Sequence, residues 1–244
     1  MNDHKYFEIR EGKCPIILSC PHGGYKKPKF IPDKTRGTMI ADRNKYLIAK
    51  QIIRVLKEEY YTEIFYILSK IHRCKVDFNR PPRSHSAFNH DSDRAKKIHQ
   101  YYHDQIDRLY KECIDQHGRC LFIDLHGFTK PQEEYPDIIL GNLFGKTLKI
   151  TNNTKNVKEL NCQQFWGCSE LTTELSKYFS FDNGLGISDY NLGYSGGYIT
   201  HKFYHKEKVN AIQVEVARYI REEVSFTKRF IEAFVKALVR SLVN

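Results

Sequence analysis

Two histidines lie where an apolar segment ends in glycine. His22 follows PIILSCP and precedes a pair of glycines, and His126 follows CLFIDL and precedes one glycine. Neutral imidazole is the commonest protein ligand of zinc, and a neighbouring glycine leaves room for an ion or a substrate. Either histidine alone is more typical of a turn residue bonded to backbone, but the pair at two predicted strand ends favours a divalent metal site.

A catalytic zinc site needs a further ligand, because zinc enzymes hold the ion with three side chains and keep one position open. Asp42 is our candidate, since the strand before His22 leads through one loop to a helix that we expect to begin at Asp42. The alternative is that Asp42 only caps this helix. Asp33 and Asp124 are weaker competitors for the same position.

A glutamate interrupts the apolar segment AIQVEV at 211–216. Alternation along a strand places Gln213 and Glu215 on one face and the branched apolar residues on the other. Burial disfavours the charged form of a carboxylate and raises its pKa, which suits a general base that takes a proton from water. We therefore predict that Glu215 is catalytic; the alternative is a structural salt bridge with Arg218 or Arg221.

The segment HRCKVDFNRPP at 72–82 contains two arginines whose side chains could bind an anionic substrate. Arg80 precedes two prolines, which hold its backbone extended, and its guanidinium group matches a carboxylate in a bidentate pair. The alternative is a structural pair with an aspartate such as Asp77. Arg73 could polarise a substrate carbonyl, although an arginine at this spacing is by itself typical of a protein surface.

Apolar segments bounded by turn residues alternate with helical patterns along the chain. They predict strands at 15–20, 63–69, 120–125, 137–140 and 209–216. Apolar spacings of three and four predict helices, the first capped by Asp42 and the second by Asp91 or Asp93, at 42–59, 91–117, 169–180 and 225–243. This order predicts an α/β domain whose sheet is covered on both faces, and such sheets bind ligands where strands end.

Composition narrows the classes of function. No linker or repeat divides the 244 residues, so we expect one domain over residues 1–244.

No apolar segment approaches the roughly 18 residues of a membrane span, and the first residues lack a signal-peptide pattern, so we expect a cytoplasmic protein without membrane contact. The net charge of +10 would assist the binding of an anionic partner, but it does not identify one, and lysine-rich helix faces exposed to solvent are the simpler explanation. Without zinc-finger or RNA-binding signatures, nucleic acid is not the expected partner, and the oligomeric state stays open.

The cysteines are seven in number, widely spaced, and contain no CxxC pair. An odd number without paired spacing is not typical of a disulfide framework. We therefore expect reduced thiols, most of them buried as small apolar side chains.

Taken in chain order, the motifs resemble those of the N-formylglutamate amidohydrolase family, which belongs to the wider group of zinc carboxypeptidase-like and aspartoacylase-like hydrolases. The motifs are PHGG (21–24), the Asp42 helix start, VDFNRPP (76–82), DLHGF (124–128), YSGGYIT (194–200) and IQVEV (212–216). The resemblance implies a central mixed, mostly parallel sheet flanked by helices. It also implies that His22, Asp42 and His126 bind Zn²⁺ or another divalent transition metal such as Co²⁺.

The resemblance further implies that Glu215 is the catalytic carboxylate and that Asn79 and Arg80 anchor a substrate carboxylate. The loop YSGGYIT is expected to line the pocket, with the candidate contacts Tyr194, Gly196, Gly197 and Tyr198. Zinc carboxypeptidases supply their first histidine and acidic ligand as HxxE, whereas here Tyr25 is the third residue after His22 and no acidic residue occurs until Asp33. This departure weakens the peptidase interpretation and leaves the acidic ligand open.

We therefore expect a metal-dependent amidohydrolase that cleaves a small anionic N-acyl amino acid of the N-formylglutamate type. One alternative is a peptidase or amidase that acts on acidic peptide ends or poly-glutamate, which the net charge of +10 favours slightly. Another is a binding module that retains the fold without catalysis.

Overall fold

The computed structural model describes residues 3–152, 162–186 and 195–243. Its strands are β1 (Phe7–Arg10), β2 (Ile16–Cys20), β3 (Phe65–Ser69), β4 (Cys120–Phe128), β5 (Ile138–Gly141), β6 (Phe181–Asp182) and β7 (Val209–Ala217). Its α-helices are α1 (Lys45–Tyr60), α2 (Asp93–His117), α3 (Cys168–Leu175), α4 (Tyr198–His201), α5 (Arg218–Glu222) and α6 (Val224–Val243).

All seven strands form one mixed sheet in the order β1-β3-β2-β4-β7-β5-β6. The central pairs β3-β2, β2-β4 and β4-β7 are parallel, whereas β1 and β5 pair antiparallel with β3 and β7. Alternation along β4 directs Leu121 and Ile123 towards α1, α3 and α6 and Phe122 towards α2. The sheet is therefore covered by helices on both faces, and the predicted α/β class and mostly parallel sheet are confirmed.

The parallel strands bring the predicted site residues to one edge of the sheet. His22 comes two residues after the end of β2, and His126 lies near the end of β4. In the next strand along, Glu215 of β7 is directly opposite His126 in the pairing register. Since parallel strands share the direction of their carboxyl ends, residues distant in sequence meet where ligands bind such sheets.

The first helix begins later than its apolar pattern predicts. α1 starts at Lys45, preceded by Asn44 in the left-handed conformation with φ 63°, so Asp42 is not its N-cap. The second helix is capped by Ser92, whose hydroxyl accepts from the Ala95 N–H, rather than by a neighbouring aspartate. α3 ends at Leu175, five residues before the predicted end at 180. β1 and β6 were not predicted, because β1 (FEIR) lacks the continuous apolar segment of the other strands and β6 has only two residues.

One pair of cysteines departs from the expectation of reduced thiols. Cys162 and Cys168 form a disulfide. The other five cysteines are free, and all of these but Cys14 are buried. Within residues 3–152, 162–186 and 195–243, no helix is long and apolar enough to cross a membrane.

The two glycines after His22 are required by close packing. A Cβ atom added at Gly23 would lie 2.3 Å from the Tyr46 nitrogen, and one added at Gly24 would lie 2.2 Å from the Ile71 oxygen. Both distances are far shorter than a carbon atom can approach backbone. Glycine therefore lets the segment after β2 pack directly on its neighbours and holds His22 at the sheet edge.

The Gly24→Ala variant is expected to be less stable than the wild type by about 1–3 kcal/mol, because the added methyl group forces the backbone at Ile71 to move. Chemical denaturation followed by circular dichroism measures this difference. Gly186→Ala is the matched control, since a Cβ atom there meets nothing within 4 Å. Equal losses of stability in both variants would contradict the packing explanation.

Candidate active site

His22, Asp42 and His126 converge at the carboxyl edge of the sheet, and all three are buried. One potential ligand atom from each side chain lies within 4.8 Å of the other two. The Asp42 Oδ2 atom is 3.7 Å from Nδ1 of both histidines. These distances are too long for hydrogen bonds, and the two nitrogen atoms and one oxygen atom are a donor set that zinc accepts.

The loop that contains Asp42 is tied to both histidine-bearing strands. The Asp42 N–H donates to the His22 carbonyl at 3.0 Å, and the Gly127 N–H donates to Asp42 Oδ2 at 2.9 Å. The competing carboxylates lie elsewhere: Asp33 is exposed and pairs with Lys75, and Asp124 lies on the opposite side of the His126 ring. Among these three candidates, the structure brings only Asp42 to the Nδ1 atoms of the histidines.

Each histidine is oriented by a buried aspartate on its far side. His22 Nε2 donates to Asp77 Oδ1 at 2.7 Å, and His126 Nε2 donates to Asp124 Oδ2 at 2.8 Å. Because a carboxylate only accepts, both rings carry hydrogen on Nε2 and direct Nδ1 towards Asp42. Metal-binding histidines have this carboxylate partner in most sites, and it fixes both the tautomer and the ring orientation.

The electrostatics of the cluster favour a cation at its centre. Burial alone would raise the pKa of Asp42, but the neighbouring His22 and His126 hold it well below its usual range. Burial opposes protonation of His126, yet Asp124, with help from Glu215, raises the pKa of His126 to about 9. His22 Nδ1 is buried without a hydrogen-bond partner among the described residues. A buried lone pair without a donor is what a metal ion would satisfy, so these residues fit the ion that the sequence predicts.

Glu215 lies beside this cluster with one oxygen fixed and one free. Its Oε1 atom accepts from Gln213 Nε2 at 2.8 Å, whereas the buried Oε2 atom has no partner among the described residues. Burial raises the pKa of Glu215, and Asp42 reinforces the shift. The alternative salt bridge does not form, since Arg218 pairs with Glu222 and the guanidinium group of Arg221 bonds to backbone carbonyls.

Asn79 connects the site to the loop before α4. Its Oδ1 atom accepts from the Ile199 N–H at 3.0 Å, and its Nδ2 atom donates to Gln213 Oε1 at 3.1 Å. The Gly197 N–H donates to the same Gln213 oxygen at 2.7 Å. A Cβ atom at Gly197 would lie 2.0 Å from Asn79 Nδ2, so only glycine permits this approach. The Asn79 amide is thus engaged by protein partners and holds the loop in place.

Two arginines from the predicted segment reach the site. Arg73 Nε donates to Asp77 Oδ2 at 2.8 Å, and its Nη1 atom is 3.7 Å from Asp42 Oδ1. Arg80 is half-buried, and within the described residues its guanidinium group bonds only to the Asn79 carbonyl, at 2.9 Å. The alternative pairing of Arg80 with Asp77 is absent, because Asp77 is bonded to His22 and Arg73 instead.

A cavity of about 350 Å³ opens above these groups, and we call it the active-site cavity. Its lining includes two proposed ligands, the proposed base and both arginines, together with the two glycines of the predicted loop: His22, His126, Glu215, Arg73, Arg80, Asn79, Gly196 and Gly197. Tyr198 is not among the lining residues, and its ring packs against His103 of α2 at 5.1 Å. Tyr194 lies outside the described residues.

Gln213 and the orienting partner Asp77 had no predicted site role, and Asp124 was considered only as a competing metal ligand. Strand alternation placed Gln213 on the face of Glu215, and this was the only signal for it. Asp77 was considered only as a structural partner for Arg80. Its contact with His22 spans 55 residues and arises only from the tertiary fold.

Arg221 is a further buried side chain whose role had no sequence signal. Its guanidinium group bridges the end of β7, the end of β4 and the Asp42 loop by donating to the carbonyls of Val216, Phe128 and Arg43 at 3.1, 3.0 and 2.9 Å. By holding these three segments together beneath Gly127, it supports the position of Asp42.

Comparisons with known proteins bear on the family and the fold of the chain. The model of the N-formylglutamate amidohydrolase family matches residues 85–220, which is more than half of the chain. The matched range contains His126 and Glu215 and begins after His22, Asp42 and Arg80. No curated protein matches the chain by sequence.

Two solved structures are similar over nearly their whole length. An N-formylglutamate amidohydrolase from Ralstonia eutropha has a TM-score of 0.65 and 13% identity over 98% of this chain and 98% of that chain. A gene product of Agrobacterium tumefaciens has a TM-score of 0.63 and 15% identity over 96% of this chain and 94% of that chain. At these identities, the two likenesses show a shared fold.

Proposed function

The chain belongs to the N-formylglutamate amidohydrolase family and is an amidohydrolase, and we propose that it cleaves the amide of a small anionic N-acyl amino acid with the help of a divalent metal ion. The observation that carries this proposal is the convergence of His22, Asp42 and His126 at one edge of the sheet, beside Glu215, whose Oε2 atom has no partner among the described residues. We also propose a cytoplasmic location, because five of the seven cysteines are free thiols, although the Cys162–Cys168 disulfide is of a kind that is rare there.

The proposed metal ligands are Nδ1 of His22, Nδ1 of His126 and the Asp42 carboxylate. Nitrogen and oxygen donors of this kind suit Zn²⁺ and also other divalent transition metals such as Co²⁺. When bound, the ion supplies Lewis acidity, which polarises an amide carbonyl and makes water a stronger acid. The aspartates behind the rings hold both Nδ1 atoms towards Asp42, and a bound ion would take the place of a proton on His126 Nδ1.

Glu215 is the proposed general base and then the general acid. The Gln213 amide fixes one carboxylate oxygen, so the free Oε2 atom is left to take a proton from water. The water oxygen then bonds to the amide carbonyl carbon, the carbon–nitrogen bond breaks, and Glu215 delivers its proton to the leaving nitrogen. The products are one carboxylate and one free amino acid.

Arg80 is the proposed anchor for the carboxylate of the leaving amino acid, because its guanidinium group reaches the cavity without a carboxylate partner among the described residues. Arg73 is held by Asp77 and is proposed to polarise the substrate carbonyl. Asn79 acts beside Arg80 mainly by holding the loop at Gly197.

Purified protein loaded with zinc is expected to release formate and glutamate from N-formylglutamate. Glutamate release, followed by an enzyme-coupled assay, measures the reaction, with protein treated with a chelator as the control. Absence of turnover in the zinc-loaded protein, both with N-formylglutamate and with longer N-acylglutamates, would contradict the proposed activity.

The Arg80→Ala variant is expected to lose about 10²-fold in kcat/KM, mainly through a higher KM, because a charge-assisted pair with the substrate carboxylate is worth roughly 1.5–3 kcal/mol. Arg83→Ala is the matched control, since Arg83 is exposed and does not line the cavity. Equal kinetics in the two variants would contradict the role of Arg80.

A further inference from the structure

A second cavity of about 400 Å³ adjoins the active-site cavity, and we call it the outer cavity. The two cavities share four lining residues, Thr38, Arg73, Gly127 and Phe128, so they lie side by side. The volume of the outer cavity alone falls within the range of roughly 300–1,000 Å³ that is usual for small-molecule sites. Cleavage of a formyl group does not need this space, because formyl carries only hydrogen beyond its carbonyl.

The junction of the two cavities lies at the proposed metal ligands. His22, His126 and Glu215 line the active-site cavity, whereas Asp42 lines the outer cavity. Because the Asp42 Oδ2 atom is 3.7 Å from both histidine Nδ1 atoms, the reacting carbonyl must lie close to this boundary. Arg80 lines only the active-site cavity.

These positions determine which part of an N-acyl amino acid lies in each cavity. A leaving amino acid held by Arg80 occupies the active-site cavity, and its amide nitrogen then points towards the junction. The acyl group on the other side of the reacting carbonyl is directed across Gly127 and Phe128 into the outer cavity. The outer cavity is therefore placed to receive the acyl group.

The lining of the outer cavity indicates which acyl group it fits. Phe128 is only 8% exposed and offers an apolar wall next to the junction. Arg43 and Arg218 also line this cavity, with side chains 71% and 55% exposed, and they share a single carboxylate, that of Glu222, at 3.8 and 2.9 Å. Two guanidinium groups with one carboxylate leave a positive charge and unused N–H donors.

We infer that the outer cavity is an acyl subsite and that the substrate is an N-acyl amino acid whose acyl group is longer than formyl and ends in a carboxylate. This inference rests on the proposed function and specifies the acyl group of the substrate. Water adds to the carbonyl carbon and the carbon–nitrogen bond breaks, so the products are a dicarboxylate and an amino acid. The apolar stem of the acyl group packs on Phe128, and its carboxylate pairs with Arg43 and Arg218.

The test compares kcat/KM of the zinc-loaded protein for N-formylglutamate, N-succinylglutamate and N-pentanoylglutamate. All three share the amine side, and the last two differ in the terminal carboxylate. The succinyl substrate is expected to be cleaved at least about tenfold more efficiently than either of the others. Efficient cleavage of the formyl substrate alone would overturn the acyl subsite while leaving the proposed function in place, and equal rates for succinyl and pentanoyl would overturn the pairing with arginine.

Two variants localise the effect to the outer cavity. Thr129 is exposed and lines the outer but not the active-site cavity, so Thr129→Trp is expected to reduce the preference for succinyl over formyl at least about tenfold. Arg218→Gln is expected to reduce the preference for succinyl over pentanoyl. Leu47→Trp, on the exposed face of α1, is the control and keeps both preferences. Unchanged preferences in both Thr129→Trp and Arg218→Gln would overturn the inference.

Discussion

Replacement of Glu215 by glutamine is expected to reduce kcat by roughly 10²–10⁴-fold while the protein keeps its metal, because glutamine has the same shape but cannot take a proton from water. The bond from Gln213 Nε2 to the side-chain oxygen of residue 215 survives the change, so the local structure is preserved. The raised pKa of Glu215, caused first by burial, makes its carboxylate a stronger base than an exposed one.

Turnover of N-acylglutamates, measured together with metal content, tests this expectation. Glu174→Gln is the matched control, since Glu174 is also a buried glutamate but pairs with Lys177 and Arg240 away from the site. Full hydrolytic activity in Glu215→Gln with metal still bound would mean that another group takes the proton.

The second large effect is expected at the histidines. Zinc at about one hundred times its Kd is expected to stabilise the wild-type protein by about 2.7 kcal/mol, and this stabilisation is expected to disappear in His22→Ala and His126→Ala. Each substitution removes one of three proposed ligands and leaves an incomplete site. Both variants are also expected to lose hydrolytic activity, because the ion supplies the Lewis acidity on which the reaction depends.

Thermal unfolding with and without zinc measures the effect. His205→Ala is the control, since His205 is exposed and lies outside the site, and it is expected to keep the zinc-dependent stabilisation. If zinc stabilised His22→Ala and His126→Ala as much as the wild type, the ion would be bound elsewhere.

Several features of the site could be predicted from sequence because local pattern determines them. His22 and His126 each follow an apolar segment and precede glycine, and parallel strands necessarily bring such positions to one edge of a sheet. Glu215 stood out because alternation in β7 makes a carboxylate in an apolar strand conspicuous. The α/β class followed from the alternation of helices and strands.

Other features depend on tertiary contacts that no local pattern reveals. Asp42 was placed at a helix start, yet α1 begins at Lys45, because the Asp42 carboxylate bonds instead to the Gly127 N–H across 85 residues. The contact of Asp77 with His22 likewise joins separate segments. The outer cavity is formed between loops whose approach only the folded chain defines.

The disulfide shows a different limit of sequence reasoning. Cys162 and Cys168 are six residues apart, a spacing without a recognised motif, and the helical start at Cys168 brings the two sulfur atoms together. The count of seven cysteines argued against a framework of disulfides but could not exclude one local pair.

The metal content of the purified protein tests the central claim most directly. Elemental analysis of the wild type, His22→Ala and His126→Ala is expected to find about one divalent ion per wild-type chain and none in either variant, as a site with three protein ligands requires. A wild-type protein that binds no divalent ion, or a variant that retains a full equivalent, would contradict the assignment of His22, Asp42 and His126 as the metal site.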